Sequence, residues 1–338
     1  MRALKICLAL HLAGVSDSGM AAPTPTTEDE QQIASLISSY KCHSVYLDVG
    51  SNIGVQIRKL YQPHLYARVD PQMHSVLATF GGQALRDSHN VTPPVLPIFD
   101  QYFGHAPRCN VCTIGIEPNP RHTPRLVKLE RSMRAAGAGV LVLNRTAADV
   151  SDGNTWVWMT PASASYGPKV NDVGLTPYPA SKKPPKKLLG SSRLQQVRTV
   201  DLARIIIFIK RLLAARHTDA SRRGQLVMKV DTEGAEYRLL PELLRRSAAC
   251  AVDLMFLEWH TVNTSNHRTI RGNVVEALAA PDCKVVVSDL DDETFMYDGV
   301  PLPSDSVCNN ARLLAEAPEH LEHPRDTPRL VERSGLVV

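Results

Sequence analysis

Short apolar runs of strand length recur along the chain, and between them the apolar residues fall three and four positions apart. Val45-Tyr-Leu-Asp-Val49, Val111-Cys-Thr-Ile-Gly-Ile116, Val140-Leu-Val-Leu143, Leu226-Val-Met-Lys-Val230, Val252-Asp-Leu-Met-Phe-Leu257 and Lys284-Val-Val-Val-Ser288 read as buried strands. Helical spacing follows or precedes them. Ile53, Ile57 and Leu60 share a face over Asn52 to Tyr61, and Leu126, Leu129 and Met133 share another. Thr123 is an N-cap candidate, Pro124 suits the first turn, and Gly137 suits the helix end. Leu202, Ile205, Ile206, Ile209 and Leu212 predict a helix over Val200 to Leu213. Asp231 to Arg246 reads as a turn and helix, with Pro241 beginning a fresh segment, and another helix is expected near 268–279. This alternation predicts an α/β doubly wound sheet, mostly parallel. A strand at about 294–297, paired with 284–288, would supply an antiparallel last strand.

The intervals between these elements set the organisation. Residues 23–41 read as a polar linker and a short helix carrying Ile33, Leu36 and Ile37. One domain spans 42–300 and carries two loop insertions, about 62–110 and 160–195, both rich in proline and too long for ordinary crossovers. Trp156-Val-Trp-Met159 reads as an edge strand or hairpin arm, and 301–338 reads as a tail.

Composition then narrows the class. With 43% hydrophobic and 21% charged residues among 338, the chain has the make-up of a folded protein. Its net charge of +4 is not gathered into an arm, so a nucleic-acid partner is not expected, and Lys182 to Lys187 reads as a solvated loop. Residues 1–22 place Arg2 and Lys5 before the apolar run Ile6–Val15, with small residues at Gly19, Ala21 and Ala22. This signal-peptide-like pattern favours the secretory pathway over the cytoplasm, and the run is too short for a stable membrane span. Removing it would take Cys7 from seven cysteines and leave six, an even number compatible with disulfides. Cys109-Asn-Val-Cys112 lacks a matching second pair, which argues against structural zinc and leaves buried thiols as the expectation. Asn90, Asn144 and Asn263 head glycosylation sequons. Nothing in the pattern fixes an oligomeric state.

Two strands deliver a carboxylate into a glycine-punctuated turn. In Asp48-Val-Gly-Ser-Asn-Ile-Gly54, Gly50 removes a Cβ from the turn, and free N–H groups beyond it would face a ligand. The spacing is G-x-x-x-G, whereas a dinucleotide diphosphate favours G-x-G-x-x-G. Such a turn suits a ligand with a carboxylate for backbone N–H groups and an ammonium for Asp48, as in the methionine part of S-adenosyl-L-methionine. Glu117, ending the second strand, can accept from both hydroxyls of a ribose. It lies far beyond the usual interval after the glycine turn, and Asp70 is the runner-up at the ordinary spacing. Asp231 and His260 follow strands four and five and are the candidate bases. Glu233 is placed toward an acceptor, and Glu236 at a helix start. Asp231, Glu233, Glu258 and His260 could hold a divalent cation, but no ligand spacing compels one, so no metal is expected.

These blocks resemble the FkbM family of methyltransferases: Asp48-Val-Gly-Ser-Asn-Ile-Gly54, Glu117-Pro-Asn-Pro120, Val200-Asp-Leu202, Lys229-Val-Asp-Thr-Glu-Gly-Ala-Glu236 and Leu257-Glu-Trp-His260, in that order. The resemblance implies a Rossmann-like class I methyltransferase fold and S-adenosyl-L-methionine as cofactor. It implies Asp48, Gly50, Ser51, Asn52 and Gly54 at the methionine end, Glu117 on the ribose, Asp149 or its neighbours on the adenine, and Asp231 beside the transferable methyl. The expected reaction is O-methylation of a hydroxyl on a small-molecule or glycan acceptor, with Asp231, Glu233 and His260 near the reacting centre. A nicotinamide-dependent oxidoreductase and a catalytically inactive nucleotide-binding protein are the alternatives.

Overall fold

The computed structural model describes residues 22–66, 95–159, 175–177, 194–216, 223–260, 266–288, 301–303 and 306–308. Strands β1 (Ser44–Val49), β2 (Val111–Glu117) and β3 (Gly139–Asn144) precede a second-sheet group: β4 (Thr146–Asp149), β5 (Gly153–Met159), β6 (Leu175–Pro177) and β7 (Leu194–Asp201). They are followed by β8 (Leu226–Val230), β9 (Leu254–Leu257) and β10 (Val286–Ser288). The main sheet runs β10-β9-β8-β1-β2-β3, and all its pairings are parallel. Its order reverses between β1 and β8, which is where an open α/β sheet parts to admit a ligand. The antiparallel strand expected at about 294–297 lies outside the described residues, as do Asp70, Lys182 to Lys187 and the sequons at Asn90 and Asn263.

Alternation along the strands divides the apolar residues between two faces. Val45, Leu47 and Val49 join a core shared with α1 (Glu28–Ser39), α5 (Leu202–Arg216), α6 (Glu236–Arg245) and α7 (His267–Leu278). Tyr46 joins the other, with α2 (Val55–Tyr61), α3 (Val95–Phe103) and α4 (Thr123–Ala135). Helices on both faces explain why β1, β2 and β8 are buried at every position rather than at alternate ones.

Several expectations need correction. Helix α3 lies inside the first expected insertion and buries Val95, Leu96 and Phe99. Pro97 is tolerated because it sits in the first turn, where no N–H is needed for the helix ladder. Val200 and Asp201 end strand β7, and the helix begins at Leu202. Pro241 does not restart a helix but lies within α6, which continues through it on the packing of Leu239, Leu240 and Leu243. Thr123 is the first residue of α4 rather than its cap, and its buried Oγ1 has no hydrogen-bond partner.

Helix α1 and the residues around Cys308 belong to the fold more than the polarity of their surroundings suggests. On α1, Asp29 pairs with Arg198 at 2.7 Å and Glu30 with Arg204 at 2.8 Å, joining the helix to the second sheet and α5. Cys308 is buried and disulfide-bonded to Cys109, so the expected tail is anchored at this point. Cys42–Cys112 and Cys250–Cys283 are also bonded, which replaces the expected buried thiols. Among the described residues no helix is long and apolar enough to cross a membrane.

Candidate functional site

A cleft of about 800 Å³, counted to its open mouth, lies over the carboxyl ends of β1, β2 and β8. Glu117, Asp231 and Glu233 bring three carboxylates to its wall, Ile116, Ala147, Ala148 and Val157 supply an apolar side, and Arg238 and His122 stand at its margin.

The turn after β1 is built to bring strands together. Gly50 has φ +88°, and a Cβ on it would lie 1.7 Å from the Asp231 carbonyl oxygen, so β1 and β8 approach this closely only with glycine between them. The constraint comes from protein backbone, not from a ligand as the sequence suggests. The turn's N–H groups are also engaged internally: Gly50 and Ser51 donate to the Ile116 carbonyl, Gly54 to that of Ser51, and Asn52 to Glu117 Oε2 at 2.7 Å. Ser51 is buried with its hydroxyl on the Asp48 carbonyl, and Gly54 would put a Cβ 2.2 Å from Leu129 Cδ2, so both serve the turn and neither lines the cleft.

Glu117 is held from both sides. Its Oε1 accepts from the Asn119 N–H at 2.7 Å and lies 3.4 Å from His122 Nδ1, while Oε2 takes Asn52. Backbone donors on both oxygens fix the carboxylate's plane, and each oxygen keeps accepting capacity toward the cleft. Asn119 and His122 were not singled out by sequence reasoning. Asn119 lies inside the Glu117-Pro-Asn-Pro120 block, but His122 carries no local signal.

Asp48 lies beneath the cleft rather than on its wall. It is wholly buried, its register partner across the sheet is Lys229, and its Oδ2 has no hydrogen-bond partner. Burial pushes its carboxyl up to about 6, against the opposing pull of the Lys229 ammonium. Burial also pulls on Lys229, downward, yet Asp231 and Asp48 outweigh it and hold the ammonium above its ordinary value. Lys229 Nζ lies 2.5 Å from Asp231 Oδ2 and so neutralises charge shared by two strand ends. Sequence reading passed over this lysine because its role depends on cross-strand register.

On the far side of β8, the residues after β9 close the arrangement. Glu258 N–H donates to the Val230 carbonyl, as Asp231 N–H does to that of Val49, so the three strand ends stay in register into their loops. Glu236 is fully buried: one oxygen accepts from Thr232 Oγ1 and the Gly234 N–H, the other from the His260 N–H at 2.8 Å. It therefore joins the turn after β8 to the end of β9 in addition to standing at a helix start. The His260 ring lies 3.3–3.6 Å from Glu236, Glu258, Asp231 and Glu233. Burial would lower its pKa, but Glu236, Glu233 and Asp231 outweigh this and raise it to about 9. With these neighbours alone the ring is an imidazolium at neutral pH, which argues against the expected role as general base.

Asp149 is engaged by the protein itself. Its Oδ2 accepts from Arg238 at 2.7 Å and its Oδ1 from the Val150 N–H, while its neighbours Ala147 and Ala148 line the cleft.

Set against protein-family models, curated proteins and solved structures, the chain matches none. The chemistry of the cleft therefore has to be argued from its own groups. Of Asp48, Glu117 and Asp231, the three acids expected to face one pocket, Glu117 and Asp231 line the cleft with Glu233 beside them, and Asp48 does not. Asp48 is buried behind them, and His260 Nε2 lies 3.6 Å from both Asp231 and Glu233.

Proposed function

We propose that the chain is an S-adenosyl-L-methionine-dependent methyltransferase of FkbM type that methylates a hydroxyl on a sugar or other small metabolite. The observation that carries this reading is electrostatic: Glu117, Asp231 and Glu233 line one cleft, with Asp48 buried beneath it and Lys229 drawn down between them. A cleft walled by carboxylates favours a cation. A nicotinamide cofactor, the rival, would bring its diphosphate among those acids, where each close like-charge pair costs on the order of 1–4 kcal/mol at about 4 Å. The strand order serves either ligand, so the charge is what separates them.

The bound cofactor supplies a methyl group on a sulfonium carrying positive charge. Asp231 and Glu233 place negative charge at the end of the cleft where that centre belongs, and Glu117 presents two fixed oxygens to ribose hydroxyls. Ala147, Ala148 and Val157 offer the apolar surface a purine needs. The acceptor oxygen forms the new C–O bond in line as the sulfur–methyl bond breaks, the pair staying on sulfur and the hydroxyl proton leaving to a base. The chain contributes orientation and removal of that proton, and Asp231 and Glu233 are the wall carboxylates for the second task.

The three disulfides support the secretory route favoured by the N-terminal segment, because such bonds persist in oxidising compartments. Alkylation mass shifts with and without reduction test the pairing: six cysteines that react before reduction would remove this support.

Calorimetric titration of the purified chain with S-adenosyl-L-methionine tests the activity. One equivalent binds, Glu117→Gln weakens it about tenfold or more, and reduced nicotinamide cofactor gives no signal. No heat with the methyl donor, or saturable binding of the nicotinamide instead, would overturn the reading. Binding without label transfer from the tritiated methyl donor into a fractionated extract would leave an inactive nucleotide-binding protein.

A further inference from the structure

Beside the cleft, two carboxylates and an imidazole face one another. His260 Nε2 lies 3.6 Å from Asp231 Oδ1 and 3.4 Å from Glu258 Oε1, and the ligand-competent atoms of these three residues all fall within 4.8 Å of one another. Normal hydrogen bonds between such groups are about 2.7–3.2 Å long. The two separations from His260 Nε2 also fall close to the edges of a coordination shell. Ligands about 2.1 Å from a tetrahedral ion stand about 3.4 Å apart, and an octahedral arrangement brings them to about 3.0 Å.

The surroundings hold these atoms as a ligand set is held. Glu236, fully buried, accepts from the His260 N–H at 2.8 Å and lies 3.3 Å from its Nδ1, which fixes the ring and leaves Nε2 turned toward Asp231 and Glu258. A carboxylate on the far ring nitrogen is the usual partner of a metal-binding histidine. Asp231 is divided in the same sense: Lys229 takes Oδ2 at 2.5 Å, and Oδ1 is the atom that faces His260. The two elements supplying the ligands are locked in register by the Glu258 N–H to Val230 hydrogen bond.

We propose that Asp231, Glu258 and His260 bind one divalent cation at the edge of the cleft, the ion displacing the proton from His260 Nε2 to solvent, with Glu236 as the positioning residue for the histidine. One imidazole with two carboxylates suits a borderline ion of the Mn2+ or Zn2+ kind better than a soft one. Three protein ligands leave coordination positions for solvent or an acceptor. The position deepens the methyl-transfer reading, on which its catalytic role rests, although binding of the ion does not. A hydroxyl held on the ion would be acidified and would pass its proton to Glu233 as its oxygen takes the methyl group, which favours acceptors offering two oxygens to one metal, such as a vicinal diol or a hydroxy acid.

The test is a titration of the full chain with Mn2+ alone, following the free-ion signal by electron paramagnetic resonance, with no methyl donor present. One ion binds per chain, Glu258→Gln and Asp231→Asn each weaken it at least about tenfold, and Glu236→Gln weakens it about 10- to 100-fold without removing a ligand. Near-ultraviolet circular dichroism checks each fold, and the partly exposed Glu258 is the variant least exposed to folding loss. No Mn2+ binding together with no displacement by Zn2+, or binding unchanged in folded Glu258→Gln, overturns the proposal. Methyl-donor binding is measured separately in chelator: if it fails while Mn2+ binds, the metal site stands and the methyltransferase reading falls, and the converse result falls on the metal alone.

Discussion

The two ends of the cleft are held in opposite ways. At the β2 end, Glu117 is fixed by backbone N–H groups from Asn52 and Asn119, donors that cannot leave without unfolding a turn. At the β8–β9 end, Asp231, Glu233, Glu236 and Glu258 crowd one imidazole at 3.3–3.6 Å, and their mutual repulsion is relieved by Lys229 and by that ring. The first end is satisfied before any ligand arrives, whereas the second carries more negative charge than its own cations match. Substitutions at the first should act on folding and affinity together. At the second they should act mainly on what the site binds.

The strongest break in the comparison is at the joint between the two ends. Gly50→Ala places a methyl 1.7 Å from the Asp231 carbonyl oxygen at a φ of +88°, a clash with backbone that no side-chain rotation relieves. Stability should fall by more than about 3 kcal/mol, with methyl-donor binding lost, as read by thermal melting and calorimetry. A melting temperature within a few degrees of the unsubstituted chain would mean that the strands part easily here and that neither end is rigid.

Asp48→Asn sharpens the contrast through pH. The carboxyl titrates at about 6 in the fold against about 3.8 unfolded, so the fold favours its neutral form. Stability from that preference is full below about pH 4 and is lost as the pH rises through about 6, a change on the order of 3 kcal/mol by pH 7. The asparagine variant should lose this part of the slope. Denaturant melts at pH 4, 5, 6 and 7 check it, and parallel curves for the two proteins would show that Lys229 already compensates the buried charge.

Much of the first end was legible in sequence because its signals are local. An apolar run ending in Asp48, a glycine two residues on and a carboxylate closing the next strand are each readable within ten residues, and β1, β2, β3 and β8 lie close to where their patterns put them. The second end was only partly legible. Lys229 looks like an interruption in Leu226–Val230 until the register sets it against Asp48. His122 needs the turn of Asn119 to bring it within 3.4 Å of Glu117. The disulfides join cysteines 33, 70 and 199 positions apart, and no spacing rule reaches that far. Helix α3 was hidden by Pro97, whose meaning depends on falling in the first turn instead of the third.

The smallest expected effect tests whether the apolar wall belongs to the first end. Arg238 pairs with Asp149 at 2.7 Å across the margin of the cleft, but its side chain is 44% exposed, and an ion pair so open to solvent contributes about 0–1 kcal/mol. Arg238→Ala should therefore leave the melting temperature nearly unchanged. If Asp149 and the Ala147–Ala148 edge meet the base of the ligand, releasing Asp149 should alter methyl-donor affinity by a few fold while Mn2+ binding at the other end stays as it was. An effect on Mn2+ as large as that on the methyl donor would show that charge at the margin reaches both ends, and the cleft would then have to be treated as one electrostatic unit.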